Sequence, residues 1–180
     1  IIFTAFSIFA LSAIFFSGCK EEEIPVEENE EELITTLILE FENVVSGDVY
    51  EYVFRDTDGP GGTEPSEFDT IRLTNGVSYH VHVSLLNESV SPAEDITVEV
   101  EEEGVDHQMF YTVSGGLNLT ISYDDEDANG DPVGLHLNAA TGDASNGTTT
   151  VTLKHQPDIK DGNITTGDTD VEVTFVTEIN

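Results

Sequence analysis

Tryptophan is absent, cysteine and methionine occur once each, and Lys and Arg together number 5 in 180 residues. Each scarcity excludes something. A single cysteine forms no intrachain disulfide and builds no cysteine-based metal cage. With 5 basic residues against 37 acidic ones the formal net charge is -32, a field that repels phosphate backbones and anionic lipid surfaces and so excludes nucleic-acid binding. The same field attracts cations and basic surfaces. No segment sustains a 3.6-residue apolar period, so a helical fold is not expected. No nucleophile elbow surrounds a serine, no Ser-His-Asp cue stands out, and no glycine-rich phosphate loop precedes a helix. The expectation is a chain without catalytic residues.

The long apolar run that is present lies at the start. Residues 1–16, IIFTAFSIFALSAIFF, carry no charge and fall short of the roughly 20 residues of a membrane span. A run of that length ending in small residues suits the core of a secretory leader. A starting Met and a basic n-region do not head it, so the leader is read as clipped at its N-terminus. Phe16-Ser17-Gly18-Cys19 follows. It resembles the lipobox of bacterial lipoproteins, with Phe in the position usually held by Leu. The resemblance implies cleavage before Cys19 and acylation of that cysteine, the palmitate-type chains anchoring the protein in a membrane. Beyond it, Lys20-Glu21-Glu22-Glu23 resembles the surface-export signal of Bacteroidota lipoproteins, which implies an outer-membrane, outward-facing destination. The expected organisation is a signal peptide over 1–18, a lipid-anchored acidic tether over 19–32 and one folded domain over 33–180.

From Leu33 onward apolar residues alternate with polar ones, with turn residues every 8 to 15 positions, the pattern of half-buried strands. Strands are expected at Thr36–Glu42, Val49–Arg55, Ile71–Leu73, Val77–Leu86, Ile96–Glu101, Gln108–Val113, Leu117–Tyr123, Leu135–Asn138, Thr149–His155 and Val171–Val176. Asn75-Gly76, Asn129-Gly130 and Asp161-Gly162 mark tight turns. The fold class expected is all-β: an antiparallel, immunoglobulin-like β-sandwich of about 8 to 10 strands. Four Asn-x-Ser/Thr sequons, at Asn87, Asn118, Asn146 and Asn163, are read behind a bacterial leader as accidents of a Thr- and Asn-rich surface.

Two constellations suggest cation chemistry. Asp125, Asp127, Asn129 and Asp131 alternate ahead of and around Gly130. They give the opening half of a calcium loop, in which alternate side chains of a curled segment converge on one centre. The bidentate Glu of a full EF-hand is missing, since His136 holds that place. The bland reading is a solvated acidic turn. The second constellation is His80 and His82, outward-facing neighbours about 7 Å apart along a strand. If that strand forms a hairpin with Ile96–Glu101, Glu99 and Glu101 come to lie opposite them. Two imidazoles with facing carboxylates suit Zn²⁺ or Cu²⁺, and an ordinary cross-strand charge pairing is the bland alternative. His155 is expected half-buried at a strand end beside Val151 and Leu153, and a further metal site is conceivable if His107 meets it.

Across the mature chain, Phe54-Arg55-Asp56-Thr57-Asp58-Gly59, Asp106-His107-Gln108-Met109-Phe110, Asn129-Gly130-Asp131-Pro132-Val133-Gly134-Leu135 and Leu153-Lys154-His155-Gln156-Pro157-Asp158 resemble stretches of a group of small, uncharacterised flavobacterial lipoproteins. That group often carries the label of a type 1 periplasmic binding fold, an α/β domain pair, which the length and strand-only pattern of this chain do not support. The resemblance implies an envelope location and brings no activity with it. The functional expectation is a non-enzymatic, surface-exposed lipoprotein acting as a binding module stabilised by Ca²⁺. The alternatives are a Zn²⁺ or Cu²⁺ capture protein partnering an outer-membrane transporter, and a structural or adhesive module.

Overall fold

The computed structural model describes residues 32–59 and 62–180. The leader, Cys19 and the tether up to residue 31 lie outside the described residues. The elements run β1 (Thr36–Asn43), β2 (Val49–Arg55), β3 (Glu67–Phe68), β4 (Ile71–Leu73), β5 (Ser78–Asn87), β6 (Glu94–Asp95), α1 (Ile96–Glu102), β7 (His107–Val113), β8 (Leu119–Tyr123), β9 (His136–Thr141), β10 (Ser145–His155) and β11 (Asp168–Ile179). They form two open sheets: β3-β2-β1-β5-β9-β8, with β6 beside β5, and β4-β11-β10-β7. All pairings are antiparallel except β11 with β4. The fold is all-β, as the alternation predicts.

Period-two patterning sets the two faces of each strand. On β1, Leu37, Leu39 and Phe41 are buried, and on β5 so are Tyr79, Val81, Val83 and Leu85. They meet Val151 and Leu153 of β10 and Val171, Val173 and Phe175 of β11 in one continuous core, which places the two sheets face to face as a sandwich. Within the larger sheet Phe41 makes edge-on contacts with Tyr52 and Tyr79 on the two neighbouring strands, ring centroids 5.8 Å apart in each case. The expected turn glycines Gly76, Gly130 and Gly162 all take positive φ. Among the described residues, no helix is long and apolar enough to cross a membrane.

The segment 96–101 is a correction: it is helix, not strand. Ile96 and Val100 are buried and Val98 is 49 % exposed, so the apolar residue pair that matters is spaced i, i+4. Asp95 caps the first turn by accepting from the Thr97 N–H. The Thr97 hydroxyl then accepts from the Leu85 N–H at 2.9 Å and donates to the Leu85 carbonyl at 3.2 Å. A side chain thus satisfies an edge of β5 where a neighbouring strand would otherwise do so.

Candidate functional site

The partners expected for His80 and His82 are not the ones they have. β5 lies between β1 and β9, so His80 stands opposite Glu42 and Asn138, and His82 opposite Glu40 and His136. The expected hairpin across 87–94 pairs only Leu86 with Asp95 and Asn87 with Glu94; α1 begins at Ile96, so Glu99 and Glu101 sit on a helix and not opposite these imidazoles. His82 instead contacts His136 edge-on, with ring centroids 4.4 Å apart. His136 was legible only as the wrong residue for an EF-hand. Its place beside His82 depends on the β5–β9 register.

The calcium expectation meets a different geometry. The Asp125 carboxylate accepts from the backbone N–H groups of Gly134, Leu135 and His136 at 2.7, 2.7 and 2.9 Å. Asp127 accepts from Asn129 and Asp131 through one oxygen and from Lys160 Nζ, at 2.7 Å, through the other. The Asp125 and Asp127 carboxylates are therefore engaged by the chain's own donors. They hold the loop shut, and the Lys160 ammonium occupies the cationic place beside Asp127. Both side chains of that pair are nearly inaccessible, 5 % and 1 % exposed. Burial works to raise the Asp127 carboxyl, but Lys160 and the two N–H donors outweigh it and hold the group below the usual range. Lys160 also donates to the Gly104 carbonyl, so one ammonium ties three loops together. Glu101, Asp125, Asp127 and His136 line a cavity of about 300 Å³ between α1 and this loop.

Groupings of metal-ligating atoms among the described residues lie elsewhere. Glu32, His107 and His155 each bring one ligand atom within 4.8 Å of the others, and Glu32 shares a second such grouping with Glu99 and Glu103. His107 opens β7 and His155 closes β10, directly opposite each other in the antiparallel register. Both continue the inward face of Met109 and Leu153, at the end of the core. Their rings are stacked, centroids 4.4 Å apart and planes 12° from parallel. Glu32, in the segment that leads into β1, reaches His107 Nε2 at 3.1 Å. His107 is fully buried and the Glu32 side chain is 6 % exposed.

The hydrogen bonds assign the protons. His107 Nδ1 faces the Glu103 carbonyl at 3.3 Å; a carbonyl only accepts, so Nδ1 carries hydrogen. Nε2 then faces a carboxylate, and two lone pairs would repel there unless a proton or a cation stands between them. Burial works against the charged imidazole, yet the hydrogen bond and charge of Glu32 outweigh it and raise the His107 pKa. Burial likewise works to raise Glu32, and His107 outweighs it, holding the carboxyl below its usual range. Glu99 is pushed up by burial and by the charges of Glu32 and Glu103. Two buried polar atoms of the group, Glu32 Oε2 and His155 Nδ1, find no hydrogen-bond partner among the described residues. Glu32 is the last residue of the acidic stretch 19–32, and nothing in its acidic surroundings singles it out. The meeting of His107 with His155 was open in the sequence and is settled by the register.

No family model, no curated protein and no solved structure matches the chain.

Proposed function

We propose that this protein is a non-enzymatic lipoprotein of the bacterial cell envelope, held in the outer membrane by an acylated Cys19 and facing outward. Its β-sandwich serves as a binding module for cations or basic surfaces. The observation that carries the reading is the abrupt step from the apolar run 1–16 through Phe16-Ser17-Gly18-Cys19 to Lys20-Glu21-Glu22-Glu23. An apolar leader cut before a cysteine, followed by a solvated acidic stretch, is the arrangement a lipid anchor needs. The net charge of -32 supports the choice of ligand class, because it favours approach of positive partners over the whole surface. The test is intact-mass analysis of Cys19 from a bacterial host, with membrane fractionation of Cys19→Ser. The reading expects acyl chains on the wild-type sulfur and release of the variant from the membrane. An unmodified sulfur, or a variant that stays with the membrane, overturns it.

A second reading, capture of Zn²⁺ or Cu²⁺ beside an outer-membrane transporter, is supported by the outward row of His80, His82 and His136 on adjacent strands with Glu40 and Glu42 alongside. Loss of metal affinity in His80→Ala/His82→Ala is the result it requires.

A further inference from the structure

We propose that Glu32, His107 and His155 form a buried site for one divalent transition-metal ion of the Zn²⁺ class, which locks the segment entering β1 onto the end of the opposite sheet. This site is separate from the outward histidines of β5 and β9, and its existence does not depend on lipid attachment.

The donor set is two imidazoles and a carboxylate, a common combination for Zn²⁺. Three observations point to a ligand, and only the first is proximity. The ligand atoms already lie within 4.8 Å of one another. The His107 Nδ1 contact with the Glu103 carbonyl fixes that ring with Nε2 turned toward Glu32, the outer-shell arrangement that orients a metal-binding histidine. Finally, Glu32 Oε2 and His155 Nδ1 are buried without a hydrogen-bond partner among the described residues, in side chains that are themselves at least nine-tenths buried. Orphaned polar atoms in a packed interior are costly, and a cation between them removes the cost.

In the metal-free site a proton on His107 Nε2 takes the place of the ion. Loading exchanges that proton for the metal, so Glu32 Oε1 and His107 Nε2 stop being hydrogen-bonded and become joint ligands. Stacked parallel rings cannot both hold one ion in their planes, so the His155 ring turns about χ2 on loading; its Nδ1 has no hydrogen bond to break. Glu103, whose carboxylate is 4.0 Å from His107 Nδ1, and Glu99 lie close enough to Glu32 to neutralise the added charge. Glu32 also lines a cavity of about 420 Å³ whose walls include Asp56, Asp170 and Glu172, acidic surroundings that concentrate cations beside one of the three ligands.

The experiment is calorimetric titration of Zn²⁺ into the full chain carrying His80→Ala/His82→Ala/His136→Ala, so that the outward imidazoles of β5 and β9 contribute nothing. The same titration follows with Glu32→Gln or His155→Phe added. Glu32→Gln keeps shape and removes charge; His155→Phe keeps a ring in the stack and removes the ligand. The expected result is one Zn²⁺ per chain in the parent and at least about tenfold weaker binding in each variant, the least that loss of a ligand should cause when loss of an outer-shell partner causes 10- to 100-fold. No saturable binding in the parent, or equal affinity in a Glu32→Gln protein with an unchanged circular dichroism spectrum, overturns the proposal. Should His155→Phe fail to fold, Glu32→Gln alone decides it.

Discussion

His107 and His155 lie face to face across the β7–β10 pair, their ring centroids 4.4 Å apart, at a depth where His107 has no exposed surface. Residues 48 positions apart in the chain thus share one inward-facing position, the difference between 155 and 107. Four local consequences of the packing are open to measurement.

Lys160 and Asp127 form a buried charge pair, and removal of one partner leaves the other charged and dry. Lys160→Met is expected to lower unfolding free energy by about 3 kcal/mol at neutral pH, the scale for breaking such a pair. The Asp127 carboxyl is held below its usual pKa, so its folded state binds protons less readily than its unfolded state. The stabilisation is therefore fully present above the unfolded value near 4 and fades as pH falls through the lower folded value. Urea midpoints of wild type and Lys160→Met should differ widely at pH 6 and begin to converge only as pH falls below about 4. A constant difference across that range would contradict the assignment.

The same pair bears on calcium. Asp125 and Asp127 are already engaged by backbone donors and by Lys160, which a calcium ion would have to displace. Calcium at about 1 mM, within the extracellular range for weak sites, should leave the thermal midpoint unchanged. A rise of several degrees would restore the loop as a calcium site.

Gly167 and Gly162 separate two costs of adding a methyl group. Both have positive φ, +72° and +74°. A Cβ at Gly162 meets nothing within 4 Å, whereas at Gly167 it falls 2.1 Å from the His155 carbonyl oxygen. Gly162→Ala should cost about 1 kcal/mol, the left-handed penalty alone. Gly167→Ala should cost clearly more, about 3 kcal/mol or above, because backbone must move. Chemical denaturation of the two variants measures the contrast.

Phe175 and Val176 are chain neighbours on opposite faces of β11, 0 % and 53 % exposed. Phe175→Ala opens a cavity in the middle of the sandwich and should cost about 3–5 kcal/mol. Val176→Ala should fall within about 0.5 kcal/mol of wild type. Equal effects would mean that the strand's inward face has been misplaced.

Local pattern alone determined the longer strands and their buried faces, because a residue's side of a strand depends only on parity. Leu37, Leu39 and Phe41 on β1 and the Tyr79-to-Leu85 row on β5 needed no partner to be legible. The turn glycines were legible for a similar reason, since positive φ is a property of one residue. Segment 96–101 shows where parity stops deciding. Ile96, Val98 and Val100 alternate as a strand would, yet Ile96 and Val100 also fall on one face of a helix, and only the free edge of β5 beside Thr97 chooses between the two. Strand order is likewise not a local property. It placed Glu40 and His136, rather than Glu99, beside His82. Tertiary structure also assembled Glu32, His107 and His155, which are far apart in sequence. Their interaction depends on the β7–β10 register within one sheet and on which acid of a long acidic stretch enters the core, and neither leaves a periodic trace.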